Sequence, residues 1–116
     1  MRPLLKKRIA GLTVAGALVL ICTETNAAID DAKAHALLDR AGCMACHTID
    51  AKGVVGPSFK EIALKNRRKP DAHAEVVKNI RQGVTGAYGS RPMPPISKRT
   101  ISDADLSDII EWILSK

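Results

Sequence analysis

Five consecutive residues, Cys43-Met44-Ala45-Cys46-His47, constrain this chain more than any other stretch of it. Two cysteines at i and i+3 of a tight helical turn put both sulfurs on one side, spaced to add across the two vinyl groups of a haem. The imidazole that follows at once can then reach the iron on the face the turn covers. Cys-x-x-Cys-His therefore reads as a c-type haem attachment site, with Cys43 and Cys46 as the covalent anchors and His47 as an axial ligand. Other uses of a cysteine pair compete with this one. A thioredoxin-like redox pair wants a βαβ context, and no segment here alternates with period two over a useful length. A tetrahedral zinc site wants two further ligands, and only His35 and His73 remain, neither suitably paired. A disulfide closing a single turn stabilises little, because the loop it closes is so short.

The first 27 residues are set aside before the rest is read. Arg2, Lys6, Lys7 and Arg8 give a basic start, and Ile9 to Cys22 is an apolar run of 14 residues without a charge. Thr25-Asn26-Ala27 then supplies a small-residue cleavage pattern, so 1–27 reads as a secretory signal peptide. An uncleaved anchor is the alternative, and the run is short for a membrane span. Cleavage after Ala27 leaves a domain over 28–116, 89 residues long, with 14 basic and 11 acidic residues. Its charge of +3 is half that of the full chain, which removes the main support for nucleic-acid binding. Cys22 leaves as well, so only the motif cysteines stay. An exported domain this small usually needs a covalent or metal staple. Phe59, Tyr88 and Trp112 are its only aromatic residues, few for filling a core. A buried porphyrin answers both needs, and export fits because thioethers to haem are made outside the cytoplasm.

The remainder reads as helices separated by loops, an all-α chain. A first helix begins at Asp30 or Asp31 and runs to about Ala41, with Gly42 as its stop and Ala34, Leu37, Leu38 and Ala41 on its apolar side. Asp50 to Pro57 is rich in turn residues. Ser58 and Glu61 have capping-box spacing, so a short second helix starts at Ser58, turns Phe59, Ile62 and Ala63 inward, and ends near Asn66. Asp71 to Gln82 forms a third helix with Val76, Val77 and Ile80 inward and Gly83 past its end. Val84 to Thr100 is a long Gly- and Pro-rich loop, a length usually functional or disordered. A last helix, capped by Ser102, carries Leu106, Ile109, Ile110 and Ile113 at helical spacing, with Trp112.

The sixth iron ligand decides what such a haem does. Met44 lies within the attachment turn and cannot reach the opposite face. His35, midway along the first helix, reads as a surface or packing residue, and His73, near Asp71 and Glu75, as a solvated one. Met93 stands in Arg91-Pro92-Met93-Pro94-Pro95, where flanking prolines fix the backbone and remove N–H groups, holding a loop without ladder bonds. It is the expected ligand, with a gap-filling core role as its alternative. A thioether is a neutral, soft donor that favours Fe(II) and raises the potential relative to two histidines. Two filled axial positions leave no room for O₂, peroxide or substrate.

At this point the chain resembles the small bacterial class I cytochromes c of the cytochrome c-551 type. The resemblance covers essentially all of 28–116. It rests on Cys43-Met44-Ala45-Cys46-His47-Thr48-Ile49-Asp50, on Val55-Gly56-Pro57-Ser58-Phe59-Lys60, on Pro92-Met93-Pro94-Pro95, and on the closing helix with Trp112. It implies four helices wrapped around one covalently bound haem c, with the first and last helices crossing. It also implies that the Pro57 carbonyl accepts the N–H of His47 and fixes that ring; a plain helix start at Pro57 is the alternative. In two places the chain departs from the pattern. Gly86-Ala87-Tyr88-Gly89 stands where relatives have a Trp, leaving the Tyr88 hydroxyl to meet a haem propionate. Ile96 stands where relatives often have an Asn bonded to the Met sulfur.

Lys52, Lys60, Arg67, Arg68, Lys69, Arg91, Lys98 and Arg99 would make a positive rim able to steer acidic docking faces, or simply a solvated surface. Arg91, two residues before Met93, is the best candidate for a propionate or docking contact. The expected function is that of a periplasmic electron carrier that is not an enzyme. Its donor would be a quinol-oxidising complex or dehydrogenase and its acceptor a terminal reductase or oxidase, with no nucleic acid and no stable membrane insertion after cleavage. A haem enzyme or gas sensor with an open distal position, or an electron-entry subunit bound to one partner, are the alternatives.

Overall fold

Three of the four α-helices among the described residues begin where a side-chain oxygen takes a free N–H. A computed structural model describes position 16 and residues 28–53 and 55–116. The expected signal peptide over 1–27 lies outside the described residues, position 16 apart. Asp30 accepts the Lys33 amide at 2.7 Å and opens α1 (Asp31–Arg40). Ser58 and Glu61 make both bonds of a capping box at the start of α2 (Phe59–Asn66), and Ser102 accepts the Asp105 amide ahead of α4 (Asp103–Leu114). The third helix, α3 (Ala72–Gln82), starts one residue later than expected, and the Asp71 side chain makes no cap bond. An ion pair of 2.8 Å between Lys69 and Glu75 ties its first turn to the connector instead.

Helix α4 packs against each of the other three. Its Leu106, Ile109, Ile110, Trp112 and Ile113 are buried together with Ala34, Leu37 and Leu38 of α1, Phe59, Val76 and Ile101. Each large apolar side chain so covered contributes about 1.5–3 kcal/mol relative to exposure. Ile62 and Ile80, expected inward, do pack against this core but are only half-buried, because both also line a cavity. At the α1–α4 contact the Trp112 Nε1–H donates to Asp31 at 2.7 Å, and Lys116 reaches the same carboxylate at 3.1 Å. His73 departs from its solvated reading. It is half-buried, with Nε2 3.0 Å from the Ser107 hydroxyl of α4.

The described residues contain no regular strand, but the long loop is more ordered than its composition suggests. Val84 and Met93 form an antiparallel bridge, the Met93 amide donating to Val84 at 2.8 Å and the Val84 amide to Met93 at 3.1 Å. The expectation of a loop without ladder bonds fails here for a simple reason. Proline removes the N–H of positions 92, 94 and 95, yet Met93 keeps its own, and Gly83 turns the chain so that Val84 faces it. Gly83 has φ +76°, and a Cβ on it would meet the Met93 carbonyl at 2.8 Å, so the turn needs glycine twice over. No helix among the described residues is long and apolar enough to cross a membrane.

Candidate functional site

Gly42, at φ +77°, ends α1 and lets the chain double back into a 3-10 turn, Cys43–Ala45. Amides of Cys46 and His47 both donate to the Cys43 carbonyl, at 3.2 and 3.0 Å. In so tight a turn, side chains three apart lie nearly above one another, which brings the Cys43 and Cys46 side chains to the same side. Neither cysteine is in a disulfide. Burial pushes the Cys43 thiol above its ordinary value, the reverse of what a redox-exchange thiolate requires. Among the described residues there is also no cluster of three or more His, Cys, Asp or Glu able to hold a metal ion.

His47 is buried, and its ring is fixed from three directions. Nδ1 lies 2.7 Å from the Pro57 carbonyl. The ring stacks on Phe59 with centroids 5.4 Å apart, and Phe59 in turn meets Trp112 edge-on at 6.3 Å. Gly56 closes the remaining side, where a Cβ would come within 2.9 Å of His47 Cε1. With Nδ1 donating to a carbonyl, the proton is on that nitrogen and Nε2 keeps the lone pair a metal would take. Pro57 precedes the Ser58 cap and so stands outside α2, not at its first position. Its plain helix-start reading therefore lapses, while its carbonyl has a partner.

Leu38, Cys43, Cys46, His47, Pro57, Phe59, Tyr88, Arg91 and Met93 all border one cavity of about 520 Å³. That volume falls within the roughly 300–1,000 Å³ of cofactor pockets. Most of its wall is apolar, with Val76, Ile80, Ile101, Leu106, Ile109 and Ile113 facing in from α3, α4 and the loop. The sequence-predicted residues thus come together although 50 positions of chain separate Cys43 from Met93. This donor set fits a haem: two thiols on one side of a turn, one imidazole with a free nitrogen, one thioether, and an apolar slot between them. Tyr88 is 40 % exposed; its hydroxyl accepts from Asn66 Nδ2 at 2.8 Å, and Lys65 Nζ lies 4.3 Å from its ring centroid. The Tyr88 proton is thereby left free to donate. Arg91 is exposed at the cavity edge.

Four contributors escaped the sequence reading. Gly56 looked like a turn residue, and nothing in one dimension shows that its missing Cβ makes room for a ring. Gly83 announces only the end of α3, and its approach to Met93 is likewise invisible along the chain. Asn66 is 5 % exposed and spans Ile62 and Tyr88 with one amide group. An amide at the end of the apolar stripe Phe59, Ile62, Ala63 was the available sign. Arg81 binds three oxygens of the segment after Met93.

The family model described as "Cytochrome c" matches residues 32–116. The chain is 45 % identical over 78 residues to "Cytochrome c2" of Rubrivivax gelatinosus, covering 67 % of this chain and 91 % of that one. It is 37 % identical over 103 residues to "Cytochrome c-552" of Nitrosomonas europaea, covering 89 % and 91 %. With "Cytochrome c-551" of Pseudomonas aeruginosa it shares 39 % identity over 80 residues, covering 69 % and 73 %. The crystal structure of wild-type Nitrosomonas europaea cytochrome c552 superposes with a TM-score of 0.64 at 38 % identity, covering 70 % of this chain and 96 % of that one.

Proposed function

The chain belongs to the cytochrome c family, a monohaem electron-transfer protein with covalently bound haem c, and from that premise we propose that it is a periplasmic one-electron carrier with His47 and Met93 as axial ligands. Bound haem supplies exchange of a single electron between ferric and ferrous iron. Cys43 and Cys46 would hold it through thioethers. His47 would ligate through Nε2, with the Pro57 carbonyl fixing its tautomer and making it more basic. Met93 would supply the second axial atom, carried on a backbone pinned to Val84. With both positions taken there is no place for O₂ or a substrate, so the chain would not act as an enzyme.

The observation that carries this reading is the His47–Pro57 bond of 2.7 Å, inside the same cavity that Met93 borders. Leader, small size and motif together support export to the periplasm. Tyr88 and Arg91 are the candidates for holding haem propionates, Tyr88 because its hydroxyl proton is unclaimed and Arg91 by position and charge. Redox proteins are the partners this chemistry implies: a quinol-oxidising complex or dehydrogenase as donor, a terminal reductase or oxidase as acceptor. The test is Met93→Ala in the haem-loaded protein. The ferric near-infrared methionine-to-iron band should vanish and the reduction potential should fall, because a soft neutral donor to Fe(II) has gone. Survival of both would assign the ligand elsewhere.

A further inference from the structure

Arg81, in the last turn of α3, is the most heavily engaged cation among the described residues, and it does not itself border the cavity. Its Nη1 donates to the Ile96 carbonyl at 3.1 Å, and its Nη2 to the Ile101 carbonyl at 2.9 Å and to Asp103 at 2.8 Å. The side chain is 16 % exposed, and its Nε–H is buried without a partner. The group is therefore placed by the two carbonyls and the carboxylate, not by satisfying every donor. Asp103 is largely exposed and shared with Lys98, so that ion pair contributes little. The charge-assisted bonds from a mostly buried guanidinium to backbone carbonyls are the stronger part.

Those bonds bear on Met93 through the residues between. Pro94 and Pro95 have locked φ angles and lie directly between Met93 and Ile96, so the two ends of this strut move together. The Ile96 amide donates to Ile80 at 2.8 Å, and its carbonyl is taken by Arg81. At the other end Met93 is paired with Val84. We propose that Arg81 is a positioning residue for Met93, clamping Ile96 and Ile101 to the end of α3 so that the proline strut holds the thioether over the cavity. This inference rests on Met93 being the ligand, and it adds what keeps it there.

The test uses ferric haem-loaded protein titrated with imidazole, which competes only with the fraction of molecules whose thioether has let go. Apparent affinity scales with that fraction. Losing one or two charge-assisted bonds raises it roughly 10- to 100-fold, so Arg81→Gln should bind imidazole tighter by about that factor. Arg81→Lys keeps the buried charge but cannot span both carbonyls, and should fall between the two, deciding the matter where the Gln variant folds poorly. Ser107→Ala, which removes the α3–α4 bond to His73, should lower the melting temperature without changing imidazole affinity. Arg81 variants that melt lower yet bind imidazole as the wild type does would make Arg81 a stabilising residue only and overturn the proposal. Met93→Ala, run alongside, separates the two claims: if it too leaves imidazole affinity unchanged, the ligand assignment has failed, and the positioning role with it.

Discussion

Replacing Gly56 by alanine isolates the contact that sets the His47 ring. The backbone there is not in the left-handed region, so an alanine is conformationally acceptable and the only objection is steric. The new methyl would stand 2.9 Å from His47 Cε1, 3.1 Å from Nδ1 and 3.2 Å from the Cys46 carbonyl. Ordinary carbon contact would need the ring to retreat by roughly 0.5 Å. The ring has little freedom to retreat, because Nδ1 already lies 2.7 Å from Pro57 and the ring stacks on Phe59. Overpacking of this kind costs about 1–3 kcal/mol, and the lower conformational entropy of the unfolded alanine chain offsets ~0.4–1 kcal/mol of that. The net loss is then ~1–2 kcal/mol. Guanidinium titration of the haem-loaded protein measures it, and the ring NMR shifts and reduction potential report whether His47 has moved. Gly42→Ala is the comparison: φ is +77° with open space around it, so it should lose ~1–2 kcal/mol through backbone strain and leave both reporters unchanged. Wild-type stability and unmoved His47 signals in Gly56→Ala would refute the argument.

Two further outcomes follow from the helix ends. Ser58→Ala removes the Glu61 cap bond of a residue only 1 % exposed, next to the Pro57 carbonyl, and should cost about 1 kcal/mol, or ~4–8 °C in Tm by calorimetry. Asp31 accepts from Trp112 and from Lys116, in that order of effect, and both hold its carboxyl below the ordinary range. A lowered folded-state pKa means its stabilisation is complete above about pH 4 and is lost as pH falls through the depressed value. Urea titrations of wild type and Asp31→Asn should therefore converge in stability as pH is lowered from about 4 through the depressed value; curves that stay parallel would count against it.

Local signals carried most of the fold. Asp30, Ser58 and Ser102 announce helix starts because a cap bond spans three residues, and the apolar stripe of α4 is set by its own spacing. Asp71 misleads by a residue because its side chain caps nothing and the first turn is tied to the preceding segment by the Lys69–Glu75 pair, which has no fixed spacing to announce it. Covalent chemistry made the attachment residues legible, since two thioethers and an imidazole demand adjacency. The prolines single out Met93, which the structure brings to the cavity, but they do not announce its bridge to Val84, which depends on Gly83 turning the chain. Gly56, Asn66 and Arg81 were hidden for one reason: each acts on a residue whose distance along the chain is unrelated to its distance in space.

The two side chains proposed as ligands are held in unlike ways, and on that proposal this decides where the molecule can be tuned. His47 is fixed within its own neighbourhood. Its amide bonds to Cys43, its ring to Pro57 ten positions on, and the loop between is closed by Gly56 to Cys46 and Phe59 to Thr48, each at 2.9 Å. The buried polar residues His47, Ser58 and Asn66 all belong to this half. Met93 depends on partners elsewhere: Val84, Ile80 and an arginine 15 positions before the carbonyl it binds, with Ser90, Arg91, Pro92 and Pro94 exposed around it. Exposed segments with few buried contacts open at lower free energy than packed ones. Change on the histidine side disturbs buried polar groups and is felt by the whole domain. Change in 84–101 reaches the thioether first, so under the proposed ligation that is where the potential would be adjusted while the helices stay folded.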